Sequence, residues 1–167
     1  AAPAGSESGW GINFAHQGDV IFATWFTYSD SGNTLWISMT ANKVSEGMYS
    51  GTLFRSTGPP FYSEPFDPSV VTRVAVGSAT LTFTDANNGV FNYTLNGVTQ
   101  TKSITRQVFG PVPTCTWPAP ANLAAASNYQ DLWWKPSESG WGINFAHEGN
   151  TILATWFTYD VDGSALW

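Results

Sequence analysis

SESGWGINFAHQGDVIFATWFTY at Ser6–Tyr28 returns as SESGWGINFAHEGNTILATWFTY at Ser137–Tyr159. At an offset of 131 positions, Ser6–Trp36 and Ser137–Trp167 are identical at 22 of 31 sites. The differences gather at Gln17, Asp19 and Val20 and along Ser29–Thr34, where turns are expected. Strands are therefore held while turns drift, and a fold that suits one copy must suit the other. A period this long is the size of a domain, so the chain reads as slightly more than one unit of a tandem array. The first copy runs on as TLWISMTA where the second stops at Trp167, as expected of a chain ending inside its second unit.

Within a unit, the dominant signal is alternation with period two. GWGINFAH sets Trp10, Ile12, Phe14 and His16 on one face, and VIFATWFTY sets Ile21, Ala23 and Trp25 against Phe22, Thr24 and Phe26. Further strands are expected at 35–41, 48–56, 72–84, 89–96 and 98–109, with HQGD, SDSGN, DANNG and LNGV as tight turns. STGPPFYSEPFDPSV, with its four prolines, is expected to be an extended surface loop. This order predicts an all-β, antiparallel up-and-down meander. Seven strands precede Phe109, and LWW (Leu132–Trp134) has no counterpart in the first copy.

Adding an LWW strand to each unit gives eight, a number that closes into a small barrel without free edges. The expectation is thus a barrel unit over 1–109 lacking its first strand, a Pro/Ala-rich linker over 110–131, and the three-stranded start of a second repeat over 132–167, pairing in cis or in trans. The linker could span roughly 70 Å if extended. A C-terminal strand, or one from a neighbouring chain, is expected to complete the barrel; a two-sheet β-sandwich is the alternative. Leu132, Trp133, Trp134, Trp141 and Trp156 are the residues expected to serve assembly.

Composition narrows the partners. Charged residues are 11% of the chain, aromatics 16%, and tryptophans number nine. Neutral hydroxyl and amide side chains fill the polar positions, as on extracellular β proteins. Six basic residues against twelve acidic ones give a net charge of −6, which supplies no basic stripe for nucleic acid. No apolar run reaches the ~20 residues of a spanning helix, so membrane insertion by a helix is not expected. Cys115 sits among prolines with no histidine nearby, which does not make a catalytic thiol.

The segment LWWKPSESGWGINFAHEGNTILATWFTYDVDGSALW resembles repeat units of secreted bacterial proteins in which LWW…ESGWG segments recur. The resemblance extends over nearly the whole chain, SITRQVFGPVPTC included, and implies export and modular repetition. At fold level the meander is similar to streptavidin-like and lipocalin-like barrels; fold alone assigns no function.

No catalytic set, metal site or cofactor is expected. Glu7 and Glu138, placed just before SGWG, are either mouth carboxylates for a ligand or acceptors for nearby backbone N–H groups. His16 and His147 flank turns and lack the further ligands a zinc ion needs. Trp10, Trp25 and Trp36 could stack on sugar rings, with Asn13 as polar partner, or simply fill a barrel core or an inter-unit interface. A secreted, non-enzymatic structural or adhesive module is expected, its partners being copies of itself or adjacent repeats. A carbohydrate- or small-ligand-binding barrel is the alternative, using Glu7, Trp10, Asn13, His16, Trp25 and Trp36.

Overall fold

The computed structural model describes residues 7–110 and 128–167. Cys115 and most of the expected linker lie outside the described residues. Seven antiparallel strands follow one another in sheet order: β1 (Gly11–Gln17), β2 (Val20–Tyr28), β3 (Thr34–Ser45), β4 (Met48–Thr57), β5 (Thr72–Phe83), β6 (Asn88–Leu95) and β7 (Val98–Thr105). The meander read from alternation is the meander observed. Its last strand ends at Thr105, earlier than the expected Phe109, because its partner β6 begins only at Asn88; the Arg106 N–H makes one last bond in the same register, to the Asn87 carbonyl at 2.7 Å.

The sheet curls into a half-barrel. Laid flat, β1 and β7 would stand roughly 29 Å apart at the usual inter-strand spacing. Instead the Trp25 ring on β2 lies 5.2 Å from Phe91 and 4.6 Å from Tyr93, both on β6. On the concave face Ile21, Ala23 and Trp25 meet Ile37, Met39, Leu53, Leu81, Phe91 and Ile104 in one buried cluster. Period-two alternation makes this possible, since every second side chain of each strand points the same way.

The second copy builds a separate small sheet: β8 (Asp131–Trp133), β9 (Gly142–Glu148), β10 (Thr151–Tyr159) and β11 (Ala165–Leu166), in the order β11-β10-β9-β8. That is four strands where three were expected. β9 and β10 pair in the register of β1 and β2, with Trp156 opposite Ile143 as Trp25 is opposite Ile12. β8 pairs with β9 of its own copy, Leu132 opposite Asn144, and among the described residues no strand closes β7 to β1. The short Lys135–Glu138 turn between β8 and β9 accounts for this, since it keeps the two strands neighbours.

The small sheet packs on the convex face of β1–β3, burying Trp36, Phe157, Tyr159 and Ala165 with Phe66. The proline-rich segment is therefore not a plain surface loop. It wraps the second copy, with Phe66 buried and the N–H of Phe61 donating to the Tyr159 carbonyl at 2.9 Å. Gly58 lies so close to the Tyr159 ring that an added Cβ would fall 2.4 Å from a ring carbon.

Candidate functional site

The ESGW motif folds into the same clamp in both copies. A glycine with positive φ, Gly9 at 97° and Gly140 at 136°, turns the chain so that the tryptophan returns over the glutamate. The Trp10 indole N–H donates to Glu7 at 2.8 Å, and that of Trp141 to Glu138 at 3.2 Å. A lysine completes each clamp: Lys102 from β7 donates to Glu7 at 2.8 Å, and Lys135 pairs with Glu138. These bonds from Lys102 and Trp10 hold the Glu7 carboxyl below its ordinary value, and Glu7 in turn raises Lys102. The bonds these acids accept come from side chains and not from the backbone N–H groups expected of a structural acid.

Each clamp borders a pocket. The first, about 200 Å³, opens at the seam between β1 and β7 and is lined by Glu7, Trp10, Trp25, Thr27, Tyr93, Gln100 and Lys102. The second, about 170 Å³, is lined by Glu138, Trp141, Trp156 and Thr158 with Phe61–Glu64 and Phe66. Glu7, Trp10, Trp25 and Thr27 become Glu138, Trp141, Trp156 and Thr158 at the 131-residue offset. One constellation is thus presented twice against different walls: β6 and β7 in the first pocket, the proline-rich segment in the second. In the seam pocket the Tyr93 hydroxyl donates to Gln100 at 2.6 Å, and burial pushes the Tyr93 phenol up. The Trp25 indole N–H is buried with no acceptor.

A second relationship joins the copies to one another. Trp36 donates its indole N–H to the carbonyl of Thr158 at 2.9 Å, and its ring packs on Phe157 and Tyr159. Trp167 donates to the carbonyl of Thr27 at 3.0 Å, and its ring packs on Phe26 and Tyr28. Every member of one set is the 131-offset counterpart of a member of the other. Thr34 and Ala165, themselves counterparts, meet where the Thr34 hydroxyl donates to the Ala165 carbonyl at 2.9 Å. The copies therefore face each other across an approximate two-fold axis, using the same patch on both sides, which defines an isologous contact.

The other sequence-selected residues divide between these places. Asn13 lies on the convex face, away from Trp10 and Trp25, and its side-chain N–H₂ is buried without a partner. Its counterpart Asn144 donates to the Thr24 hydroxyl at 3.2 Å across the interface. Trp36 belongs to the interface and not to a pocket. His16 meets the carbonyl of Gly18 and the hydroxyl of Tyr49, and His147 accepts from the N–H of Tyr129 while meeting the carbonyl of Gly149. Both histidines thus pin turns. Leu132 packs beside Gly142, Trp133 and Trp134 are exposed, and Trp156 stacks edgewise on Phe61. Among the described residues no group of three His, Cys, Asp or Glu side chains is placed to hold a metal ion.

Alternation could not reveal Tyr93, Gln100 and Lys102, which reach the pocket only because the sheet curls. Trp167 and Tyr159 carried a usable signal: both belong to the repeat, and a repeated patch is self-complementary whenever it pairs with itself. No family model matches the chain, and no curated protein or solved structure matches it either.

Proposed function

We propose that the chain is a non-enzymatic structural and adhesive module of an extracellular repeat protein, in which repeat copies lock together in pairs. The observation that carries this reading is the reciprocity of Trp36 and Trp167, each donating to a backbone carbonyl of the other copy. An isologous contact closes on two copies and does not propagate. An array built this way is a string of locked pairs, lengthened by the covalent chain. Strand complementation fits the same scheme, because β1 and β7 lie at the ends of their sheet and leave edges for an incoming strand. The low charge content and the neutral polar surface support an extracellular setting.

The experiment is a pair of full-length variants examined by sedimentation. Trp167→Arg frees the convex face of the first unit, which then pairs with the same face of a second molecule, giving a concentration-dependent dimer. Trp36→Arg combined with Trp167→Arg removes the patch from both sides and stays monomeric. A Trp167→Arg chain whose C-terminal sheet is released, as judged by proteolysis, yet which stays monomeric at every concentration would overturn the proposal.

A further inference from the structure

We infer that the pocket at the β1/β7 seam is a binding site for the ring of a neutral pyranose sugar. Three observations converge there. Trp25 lines the pocket and is 6% exposed, an aromatic surface held fixed by its packing on Phe91 and Tyr93. Beside it stand Glu7 and Lys102, already neutralising each other at 2.8 Å. A charged ligand would have to break that pair, whereas a hydroxyl group need not. The carboxylate has lone pairs beyond the two bonds it accepts, and the ammonium has two donors beyond the one it gives. The Trp10 and Tyr93 rings supply apolar walls of the kind on which the C–H face of a pyranose stacks, and Gln100 adds amide donors at the rim.

Size agrees with chemistry. About 200 Å³ lies below the range of pockets for drug-sized molecules, and suits one sugar ring. In the second pocket the carboxylate, both indoles and the threonine recur, but the wall is Phe61–Glu64 and Phe66. Lys135 pairs with Glu138 from outside the pocket, and Tyr93 and Gln100 have no counterpart there, so the seam pocket is the complete site. This inference does not depend on the pairing of repeat copies, and either can fail alone.

The test is a titration of the full chain with methyl glucopyranoside, methyl galactopyranoside, methyl mannopyranoside and N-acetylglucosamine, read by ¹H–¹⁵N signals of the indole groups. At least one sugar is expected to shift the Trp10 and Trp25 signals with a roughly millimolar Kd. Gln100→Ala is expected to weaken that binding about tenfold, with the fold retained as judged by the dispersion of the indole signals. Trp156→Ala, in the other pocket, is expected to leave it unchanged. A polysaccharide that shifts the same signals identifies the ring as part of a chain; one that does not identifies a free or terminal sugar. Failure of every pyranoside to move either signal overturns the inference, as does a response to glycine zwitterion alone.

Discussion

Trp36 and Trp167 stand in equivalent positions of the two copies, and each passes its indole N–H to the copy that the other belongs to. The contact is symmetric in its bonds but not in its burial. Trp36 is 6% exposed, between the two sheets, whereas Trp167 lies at the margin and is only partly buried. Two chemically equal hydrogen bonds are therefore set in unequal amounts of packing.

That inequality gives the first prediction. Trp36→Ala should destabilise the chain by about 3–5 kcal/mol, the cost of emptying a buried tryptophan site. Trp167→Ala should cost about 1–2 kcal/mol, since less apolar surface is lost there. Urea denaturation of both variants, followed by far-ultraviolet circular dichroism, measures the difference. Equal losses would mean that the hydrogen bonds and not the packing carry the interface.

A second prediction separates two asparagines drawn from identical peptides. Asn144 is buried and bonded to Thr24, while the Asn13 N–H₂ is buried with no partner. Asn144→Leu leaves the Thr24 hydroxyl without its donor and should cost about 1–3 kcal/mol. Asn13→Leu removes an orphan donor and should be neutral, or stabilising by about 1 kcal/mol. Different outcomes are expected from one substitution at equivalent positions, again by urea denaturation.

Such pairs of equivalent residues also show how far the fold was legible in the sequence. The strands and the meander were legible, because alternation and turn residues act locally. Which face of a copy would be buried was not. Trp25 is 6% exposed and its counterpart Trp156 43%, while Tyr28 is 49% exposed and its counterpart Tyr159 0%. The local sequences are nearly the same, and both faces of each strand carry large apolar side chains. In the first copy the concave face is covered by β3–β7; in the second, the opposite face is covered by the first copy. Burial here is decided by what arrives from elsewhere in the chain. The seam pocket was half legible for the same reason: Glu7, Trp10 and Trp25 are close in sequence, but their partners on β6 and β7 are brought by curvature.

Acid should open the seam clamp. Glu7 has its carboxyl lowered first by the bond from Lys102 and then by that from Trp10. A lowered carboxyl contributes its stabilisation above the ordinary value of 4.5, and loses it as pH falls through the folded-state value below that. The Trp10 indole ¹H–¹⁵N signal should therefore hold its position down to about pH 4.5 and move only at lower pH. Glu7→Gln should abolish this acid transition and leave the signal insensitive to pH.

Alkali should act on the interface through Tyr159. Its side chain is fully buried, its hydroxyl donates to the Gly140 carbonyl at 2.6 Å, and its ring packs on Trp36. Burial is the main cause that pushes the phenol up to about 12, from an ordinary value of 10. Between those values the folded chain keeps a proton that the unfolded chain has lost, so stability falls as pH rises. Across that span the loss is on the order of 2–3 kcal/mol. Tyr159→Phe removes the titrating group and with it this part of the alkaline slope. It also removes the donor to Gly140, at a cost of about 1 kcal/mol near neutrality. The wild type should therefore be the more stable protein at pH 7, and its lead should vanish and then reverse as pH climbs toward 12. Urea denaturation at stepped pH measures both arms; parallel curves for the two proteins would show that the phenol ionises without opening the interface.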